Sequence, residues 1–366
     1  MEDEQGIGTV AGDSPDNPSE GGHNQYQQEL MYRQRPRDPL KELFRMVKAM
    51  LWSTSFISFL AVIMFSLIIV VAMTPEIQDW ITTPQPSTDD TSELLLPQEY
   101  IFIIFPFPVL LFTINGPGFQ VWHIIILLLL LGAFGYSKYD LWKEWLSRKG
   151  QAMLSLLVPE KANSSLEGAA KLFMATSFFS TLYFIFLELA NIEMQSPPFD
   201  EFARPELIYG LFNAAVFEEI ISRILLIGVP LVLIALVLKW KKPVRRVLGG
   251  GLDINPITLS LIIFSAVFFS LAHVGSWDFW KVPQVMITGL ALGYAFVRWG
   301  VHASIMVHFS INLSTSAMDI WPDSVILATL LGMAFLLWII MGCYFFFEYI
   351  WKLLVKFEVI KKQQPA

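Results

Sequence analysis

Long apolar segments separated by short charged loops constrain this chain more than any other feature. Its 366 residues are 54% hydrophobic and 16% charged, whereas soluble domains carry about 25% charged residues. A helix needs about 20 consecutive apolar residues to cross a bilayer. We count eight such stretches: 52–73, 121–136, 172–189, 207–238, 257–272, 282–297, 303–317 and 325–350. The sequence therefore predicts an all-α fold, a polytopic transmembrane helical bundle of about eight spans.

The charges of the loops predict the orientation of the bundle. Basic residues follow the second, fourth, sixth and eighth spans, as in Lys239, Lys242 and Arg245, and acidic residues such as Glu193 and Glu201 occupy the opposite loops. Because Lys and Arg favour the cytosolic side, both termini are expected to be cytosolic. The protein is predicted to be an integral, multi-pass membrane protein, and a plasma membrane and an endoplasmic reticulum membrane fit equally.

Four regions follow from these patterns. Residues 1–48 are predicted to be a disordered tail with a basic juxtamembrane end, because their composition is polar and rich in Gly and Pro. Residues 49–206 would hold accessory membrane helices and an acidic loop, in which 101–113 is expected to be re-entrant or interfacial. Residues 207–318 would form a helical core, with a bend near Pro230; the patterns described next lie in this core and make it the candidate catalytic region. Residues 319–366 would form the last transmembrane helix and a short basic tail.

The first chemistry-bearing pattern is Glu218-Glu219-x-x-x-Arg223, inside the fourth apolar span. Adjacent helical residues point about 100° apart, so the two carboxylates cannot share one direction. Glu219 and Arg223 are four residues apart and are expected to pair on one face. Glu218 is then left to face a cavity, where a carboxylate can act as a general base toward water. A purely structural ion-pair network is the alternative interpretation.

Two further patterns lie in later apolar stretches: Phe269-x-x-x-His273 and His308-x-x-x-Asn312. His308 and Asn312 are one turn apart on one helix face, and neither side chain suits contact with lipid. Interhelical hydrogen bonding is an alternative for this pair. Together the three patterns supply one carboxylate, two imidazoles and one carboxamide. This set is sufficient to activate water and to stabilise an oxyanion, as amide hydrolysis requires.

A metal site is the main alternative for these side chains. Glu218, His273 and His308 would give the three ligands of a catalytic zinc ion, but the chain lacks a His-Glu-x-x-His pair. Asn312 beside His308 suits an oxyanion better than a metal, so a metal-free site is preferred and zinc is kept as the alternative. The single cysteine, Cys343, has no histidine or acid near it in sequence and is expected to be structural.

In their order and apolar context, the three patterns resemble the CPBP family, which comprises CAAX prenyl endopeptidases and bacteriocin-processing proteins and is also called the ABI family. The resemblance covers residues 207–318, and the stretch Gly289-Leu-Ala-Leu-Gly293 is similar to the family as well. It implies cleavage of a peptide bond in a membrane-associated substrate. The eukaryotic members remove the last three residues of prenylated CAAX proteins.

The resemblance also implies residue roles. Glu218 corresponds to the general base, and His273 helps it to activate water. His308 and Asn312 correspond to the groups that stabilise the oxyanion.

The supporting residues follow from the same resemblance. Glu219 and Arg223 correspond to the supporting ion pair. Phe269, one turn before His273, is also expected to be a supporting residue that packs against the same neighbour as that histidine. The chain has Ser222 where members often have an aromatic residue, and Ile224 where many have glycine.

The sequence thus predicts an intramembrane endopeptidase that uses glutamate-activated water. It is expected to need no cofactor, with zinc as the alternative. Its expected partners are the bilayer and a membrane-associated peptide or protein, for which the resemblance implies a prenylated class; nucleic acid is not expected. A non-catalytic immunity or scaffolding protein is the second hypothesis. A proton or small-molecule transporter is the third, disfavoured because no internal repeat is visible.

Overall fold

The computed structural model describes residues 38–86, 94–104, 108–147, 159, 163–199, 201–240, 242–321 and 323–356. Most of the predicted tail, residues 1–37, and most of the predicted basic C-terminal tail, 357–366, lie outside these residues. Two compact units are present, residues 1–47 and 48–366. In the first unit, the described residues begin a helix at Pro39, where Arg45 forms an ion pair with Glu42 at 2.8 Å.

Helices form nearly all of the second unit, and its first helix begins in the first unit. The helices are α1 Pro39–Ala72, α2 Thr74–Thr82, α3 Gly116–Ser147, α4 Ser165–Leu189, α5 Arg204–Glu219, α6 Val229–Val237, α7 Pro256–Leu271, α8 Val274–Trp277, α9 Val282–Arg298, α10 Val301–Ile320 and α11 Val325–Lys356. A π-helix, Ile220–Gly228, joins α5 to α6, and two 3-10 turns cover Pro243–Leu248 and Phe279–Lys281. The prediction of an all-α membrane bundle is confirmed.

Six helices in the described part of the chain are long and apolar enough to cross a membrane: Pro39–Ala72, Gly116–Ser147, Ser165–Leu189, Arg204–Val237, Pro256–Trp277 and Val325–Lys356. The other two predicted spans are also helical, as α9 and α10. However, α9 has only 17 residues, and α10 carries serine, threonine, histidine and asparagine along its length. The structure therefore supports six of the eight predicted spans.

Local sequence signals explain where several helices begin. Ser164 caps α4 in a capping box with Glu167, and Asn255 caps α7 in the same way with Thr258. Each box satisfies backbone N–H groups that a helix start leaves without partners. Asn255 thereby fixes the start of α7, the helix that carries Phe269 to the site.

The predicted bend region holds an irregular helix. The π-helix includes Arg223 and ends at Gly228, two residues before Pro230; π-turns often occur at functional sites. A Cβ at Gly228 would lie 2.2 Å from the carbonyl oxygen of Val247. Glycine therefore lets the 3-10 turn pack directly against this helix.

Two short antiparallel sheets are the non-helical elements of the described chain. Strand β1 Gln85–Pro86 pairs with β2 Leu94–Leu95, and β3 Gln98–Ile104 pairs with β4 Pro108–Asn115. The segment predicted to be re-entrant or interfacial, 101–113, therefore contains two strands that the sequence analysis missed. Its β-branched and aromatic residues favour a strand, and Phe102 packs edge-on against Phe217 of α5 at 5.3 Å.

Aromatic residues fill the contact between α1, α4 and α11. Trp52 packs edge-on against Phe345 at 5.4 Å, and Phe173 against Trp338 at 4.9 Å. The indole of Trp338 also donates to the carbonyl of Ser55 at 3.1 Å. α4 also packs against α9 and α10, and α10 packs against α5 and α9.

Small residues bring α9 close to α7. A Cβ at Gly289 would lie 3.0 Å from the Cα of Ala266, and one at Gly293 would lie 2.9 Å from a methyl group of Ile262. Two glycines four residues apart therefore form a shallow face on α9, the spacing that lets membrane helices approach closely. This contact fixes α7 against α9, and α7 also packs against the π-helix that follows α5.

Candidate active site

The adjacent carboxylates at the end of α5 lie in different surroundings. Glu219 is completely buried, whereas 21% of the Glu218 side chain is exposed to a cavity. The rotation of about 100° between consecutive helical residues separates them. The structure thus divides the pair into an internal carboxylate and a cavity-facing one.

A dense polar network surrounds Glu219. The Nε of Arg223 donates to Glu219 Oε2 at 3.2 Å, and the Ser304 hydroxyl donates to the same oxygen. Nδ1 of His308 lies 3.0 Å from Glu219 Oε1. Arg223 itself is completely buried and also donates to the hydroxyl of Ser265 at 2.5 Å. The predicted Glu219–Arg223 pair is therefore present, and it links α5 to α7 and α10.

The opposite side of His308 faces Glu218. His308 Nε2 is 3.8 Å and His273 Nε2 is 4.0 Å from Glu218 Oε2. This oxygen is buried and has no hydrogen-bond partner in the described part of the chain. Buried polar atoms are nearly always satisfied, so an orphaned one indicates a ligand, a water molecule or a catalytic role.

The contacts at Nδ1 fix the neutral tautomer of each histidine. His308 Nδ1 faces a carboxylate, and His273 Nδ1 lies 2.8 Å from the carbonyl oxygen of Phe269. Both partners accept hydrogen bonds only, so each Nδ1 carries a proton. A neutral His273 then holds a lone pair at Nε2, directed toward Glu218. His308 lies between two carboxylates and donates from Nε2 when its ring is protonated there as well. Glu218 Oε2 and His273 Nε2 are thus two acceptors for the protons of one water molecule.

Glu218 Oε2, His273 Nε2 and His308 Nε2 are also the atoms that would bind zinc in the alternative site. Ligands around tetrahedral zinc, with bonds of about 2.0–2.1 Å, lie about 3.4 Å apart, whereas Glu218 Oε2 is 3.8 and 4.0 Å from the two Nε2 atoms. Among the described residues, no group of three His, Cys, Asp or Glu side chains is arranged to hold a metal ion. The three atoms of the alternative zinc set, from Glu218, His273 and His308, thus lie somewhat farther apart than the ligands of a tetrahedral zinc ion.

Phe269 lies at the centre of the site. Its ring packs edge-on against His273 at 4.9 Å and against His308 at 5.8 Å. The guanidinium of Arg223 lies over the same ring at 4.9 Å, a cation–π contact. Since only 2% of Phe269 is exposed, it holds both imidazoles in place without contacting solvent.

Asn312 lies one turn after His308 on α10 and also lines the cavity. Its Nδ2 donates to the carbonyl of Leu211 on α5 at 3.0 Å. A carboxamide NH₂ group has two protons, so a second one is left for another acceptor. The contact with Leu211 aligns α10 with α5, the helix that carries Glu218.

A cavity of about 1050 Å³ joins these side chains and is lined by Glu218, His273, His308 and Asn312. Aromatic residues form much of its wall, including Trp80, Phe199, Phe202, Trp277 and Trp280. Ligand sites in proteins enclose about 300–1,000 Å³, with few polar groups on apolar walls. The cavity therefore has room for a substrate larger than a dipeptide.

Two hydroxyl partners of the ion pair, Ser304 and Ser265, were not among the residues predicted from the sequence. Ser304 lies four residues before His308, and Ser265 lies four residues before Phe269, so each shares a helix face with a predicted site residue. Helical spacing could have identified both. Nothing in the sequence marks Glu99, which comes from β3 to accept hydrogen bonds from Tyr209 at 2.8 Å and Asn213 at 3.0 Å.

Comparison with known families found one match that covers these motifs. Residues 201–314 match the family described as Rce1-like, Type II CAAX prenyl endopeptidase Rce1-like. The family resemblance is therefore confirmed for this segment. The Rce1-like segment is under a third of the chain, and it includes Glu218, His273, His308 and Asn312. No curated protein and no solved structure matched the chain.

The match and the helices together define the class of protein. The Rce1-like segment supports a CAAX-type intramembrane endopeptidase family, and hence a hydrolase. Six long apolar helices make the chain an integral membrane protein. The cavity-facing groups lie on α5 and α10 and at the end of α7, within the matched segment.

Proposed function

We propose that this protein is an intramembrane endopeptidase in which Glu218 activates water. The observation that carries the proposal is the buried Oε2 of Glu218, which lacks a partner in the described chain and faces Nε2 of His273 and of His308. The oxygens of the neighbouring Glu219 are by contrast already occupied by Arg223, Ser304 and His308.

The first step follows from this geometry. Glu218 removes a proton from a water molecule, His273 Nε2 orients that water, and the resulting hydroxide attacks the carbonyl carbon of the scissile peptide bond. The position of His273 is held by its Nδ1 bond to the carbonyl of Phe269. General base catalysis of this kind contributes about 10²–10⁴-fold.

The carbonyl oxygen becomes an oxyanion that needs donors. His308 provides one from Nε2 and acts here as an imidazolium, with its Nδ1–H on the Glu219 carboxylate. Asn312 provides the second donor from its remaining N–H. Glu218 then gives its proton to the leaving amine, the C–N bond breaks and the carbonyl re-forms. The site requires no metal in this mechanism.

The substrate class comes from the family and the cavity. CAAX prenyl endopeptidases act on prenylated proteins at the membrane, and the aromatic cavity wall suits an apolar chain beside the scissile bond. Burying such a chain gains about 25 cal/mol per Å² of apolar surface. We therefore propose a membrane-associated, prenylated peptide or protein as substrate.

Cleavage of a quenched-fluorescent, farnesylated CAAX peptide in proteoliposomes tests this function. Glu218→Gln is expected to lower kcat/KM by about 10²–10⁴-fold, and His308→Ala by about 10²–10³-fold. Asp319→Asn is the matched control, because Asp319 also lines the cavity but lies outside the catalytic cluster. A chelator is expected to have no effect.

Three results would change the conclusion. Full activity in a folded Glu218→Gln variant would refute the role of Glu218. Loss of activity with chelator, restored by added zinc, would replace the metal-free mechanism by a metal-dependent one. A folded wild type that cuts no peptide, together with loss of stability in Glu218→Gln, would favour the non-catalytic hypothesis.

A further inference from the structure

One cation lies in the wall of an otherwise acidic cavity. The cavity is lined by four carboxylates, Glu99, Glu206, Glu218 and Asp319. Of the Lys and Arg side chains in the described chain, only Lys281 lines it. A single lysine among these acids is a feature that the proposed hydrolysis does not use.

Lys281 is held by aromatic rings. Its Nζ lies 3.8 Å from the ring centroid of Trp277 and 5.1 Å from that of Trp280. Trp280 is fixed in turn: its indole donates to the carbonyl of Gln195 at 2.9 Å, and its carbonyl accepts from Tyr183 at 2.6 Å. The ammonium group is therefore positioned by a rigid platform.

The charge of Lys281 is not neutralised within the described part of the chain. No carboxylate there forms an ion pair with it, and burial alone lowers its pKa to about 8. The group is thus still mostly protonated at pH 7. A partly buried ammonium that contacts only aromatic rings is stabilised further when an anion binds to it. Every peptide with a free C-terminus carries such an anion, its terminal carboxylate.

The position of Lys281 relative to the catalytic groups suits a peptide end. His273 directly precedes α8, and Lys281 ends the 3-10 turn that follows, so one short segment carries both residues to the same cavity. Three residues of extended chain span about 10 Å. If the bond is cut three residues from the C-terminus, the terminal carboxylate lies at most about 10 Å from the scissile bond. A group that binds this carboxylate must therefore lie in the same cavity as the catalytic side chains.

We propose that Lys281 binds the C-terminal carboxylate of the peptide substrate and so sets the distance from the chain end at which the bond is cut. This inference rests on the proposed peptidase function and specifies its substrate: a peptide with an unblocked C-terminus. Trp277 and Trp280 position the ammonium and shield the ion pair from water, which strengthens it.

The test compares two peptides that differ in one group. A farnesylated CAAX peptide with a free carboxylate and the same peptide with a C-terminal amide are offered to the wild type, Lys281→Met and Lys281→Arg. A charged hydrogen bond contributes about 1.5–3 kcal/mol, so the wild type is expected to prefer the acid by about tenfold or more in kcat/KM. Lys281→Met is expected to show a ratio near one, and Lys281→Arg to keep a preference for the acid.

A matched control and a binding measurement complete the design. Lys143→Met removes an exposed lysine outside the cavity and should keep the wild-type ratio. Binding of the two peptides to Glu218→Gln is measured as well, with and without Lys281→Met, so that cleavage is not needed as a readout.

The outcomes separate the two proposals. A folded wild type that cleaves neither peptide would overturn the peptidase function. Equal binding of acid and amide to Glu218→Gln, or a preference that survives Lys281→Met, would overturn the carboxylate site even if cleavage is observed. In that case Lys281 is an interfacial anchor, as lysine often is near a membrane surface.

Discussion

The surroundings of Glu219 and of Glu218 differ more than their adjacency suggests. Around Glu219, Arg223, Ser304 and His308 satisfy both carboxylate oxygens away from solvent. Around Glu218, Nε2 of His308 and Nε2 of His273 lie 3.8 and 4.0 Å from Oε2, too far for a hydrogen bond. This oxygen has no hydrogen-bond partner in the described chain. Donors to both oxygens of a buried carboxylate stabilise a fold, whereas a carboxylate oxygen without a donor leaves a position for a reacting molecule.

His308 connects the two regions. Its Nδ1 belongs to the Glu219 network and its Nε2 faces Glu218. The buried side therefore sets the tautomer and the orientation of the ring that the cavity side uses. This comparison predicts that substitutions around Glu219 change stability first, and substitutions around Glu218 change activity alone.

The largest expected effect on stability comes from Arg223→Met. Removing one partner of a buried ion pair leaves an uncompensated charge and costs about 3–5 kcal/mol. We expect the free energy of unfolding in detergent micelles to fall by this amount. Glu218→Gln is the control and should change it by less than about 1 kcal/mol, because Oε2 of Glu218 makes no hydrogen bond to lose. Equal losses in the two variants would remove the distinction between the regions.

A smaller effect is expected from Ser304→Ala. The hydroxyl donates to the buried Glu219 carboxylate, and a hydrogen bond to a charged group contributes about 1.5–3 kcal/mol. The matched control is Ser310→Ala on the same helix, because Ser310 is also buried but donates only to the carbonyl of Met306 one turn earlier. If both variants lose the same unfolding free energy, the hydroxyl of Ser304 has no special role at Glu219.

The smallest effect concerns Glu99, a partly buried acid with neutral hydrogen-bond partners. Burial raises the pKa of Glu99 above 4.5, and its hydrogen bonds with Tyr209 and Asn213 oppose the shift. The folded state therefore holds the proton more tightly than the unfolded state. Stability from this group is complete below the unfolded pKa and is lost as pH rises through the folded pKa.

Unfolding measured from pH 4 to pH 7 tests this expectation. The wild type should lose stability relative to Glu99→Gln as pH rises through that interval. Glu193→Gln, a change of an exposed acid, should follow the wild type at every pH. A constant difference between wild type and Glu99→Gln would show that the Glu99 carboxyl does not titrate in the folded protein.

The members of each pattern could be predicted to share a helix face because they lie four residues apart in sequence. Spacing of four residues placed Glu219 with Arg223, and His308 on the face of Asn312, without any knowledge of neighbouring helices. The hairpin Gln98–Asn115 was missed because short apolar strands and re-entrant segments have similar composition. The contact of its Glu99 with Tyr209 joins residues 110 positions apart, and no local pattern carries such information.

The sequence by itself determined the class of the protein: a helical membrane bundle with an acid, two imidazoles and a carboxamide in apolar context. These properties follow from hydropathy and helical periodicity, which are local. Only the tertiary structure decided that Glu218 Oε2 faces Nε2 of both histidines, that the Phe269 ring contacts both of them, and that Lys281 enters the same cavity. Such facts depend on which helix faces meet, and packing between distant segments of the chain determines those contacts.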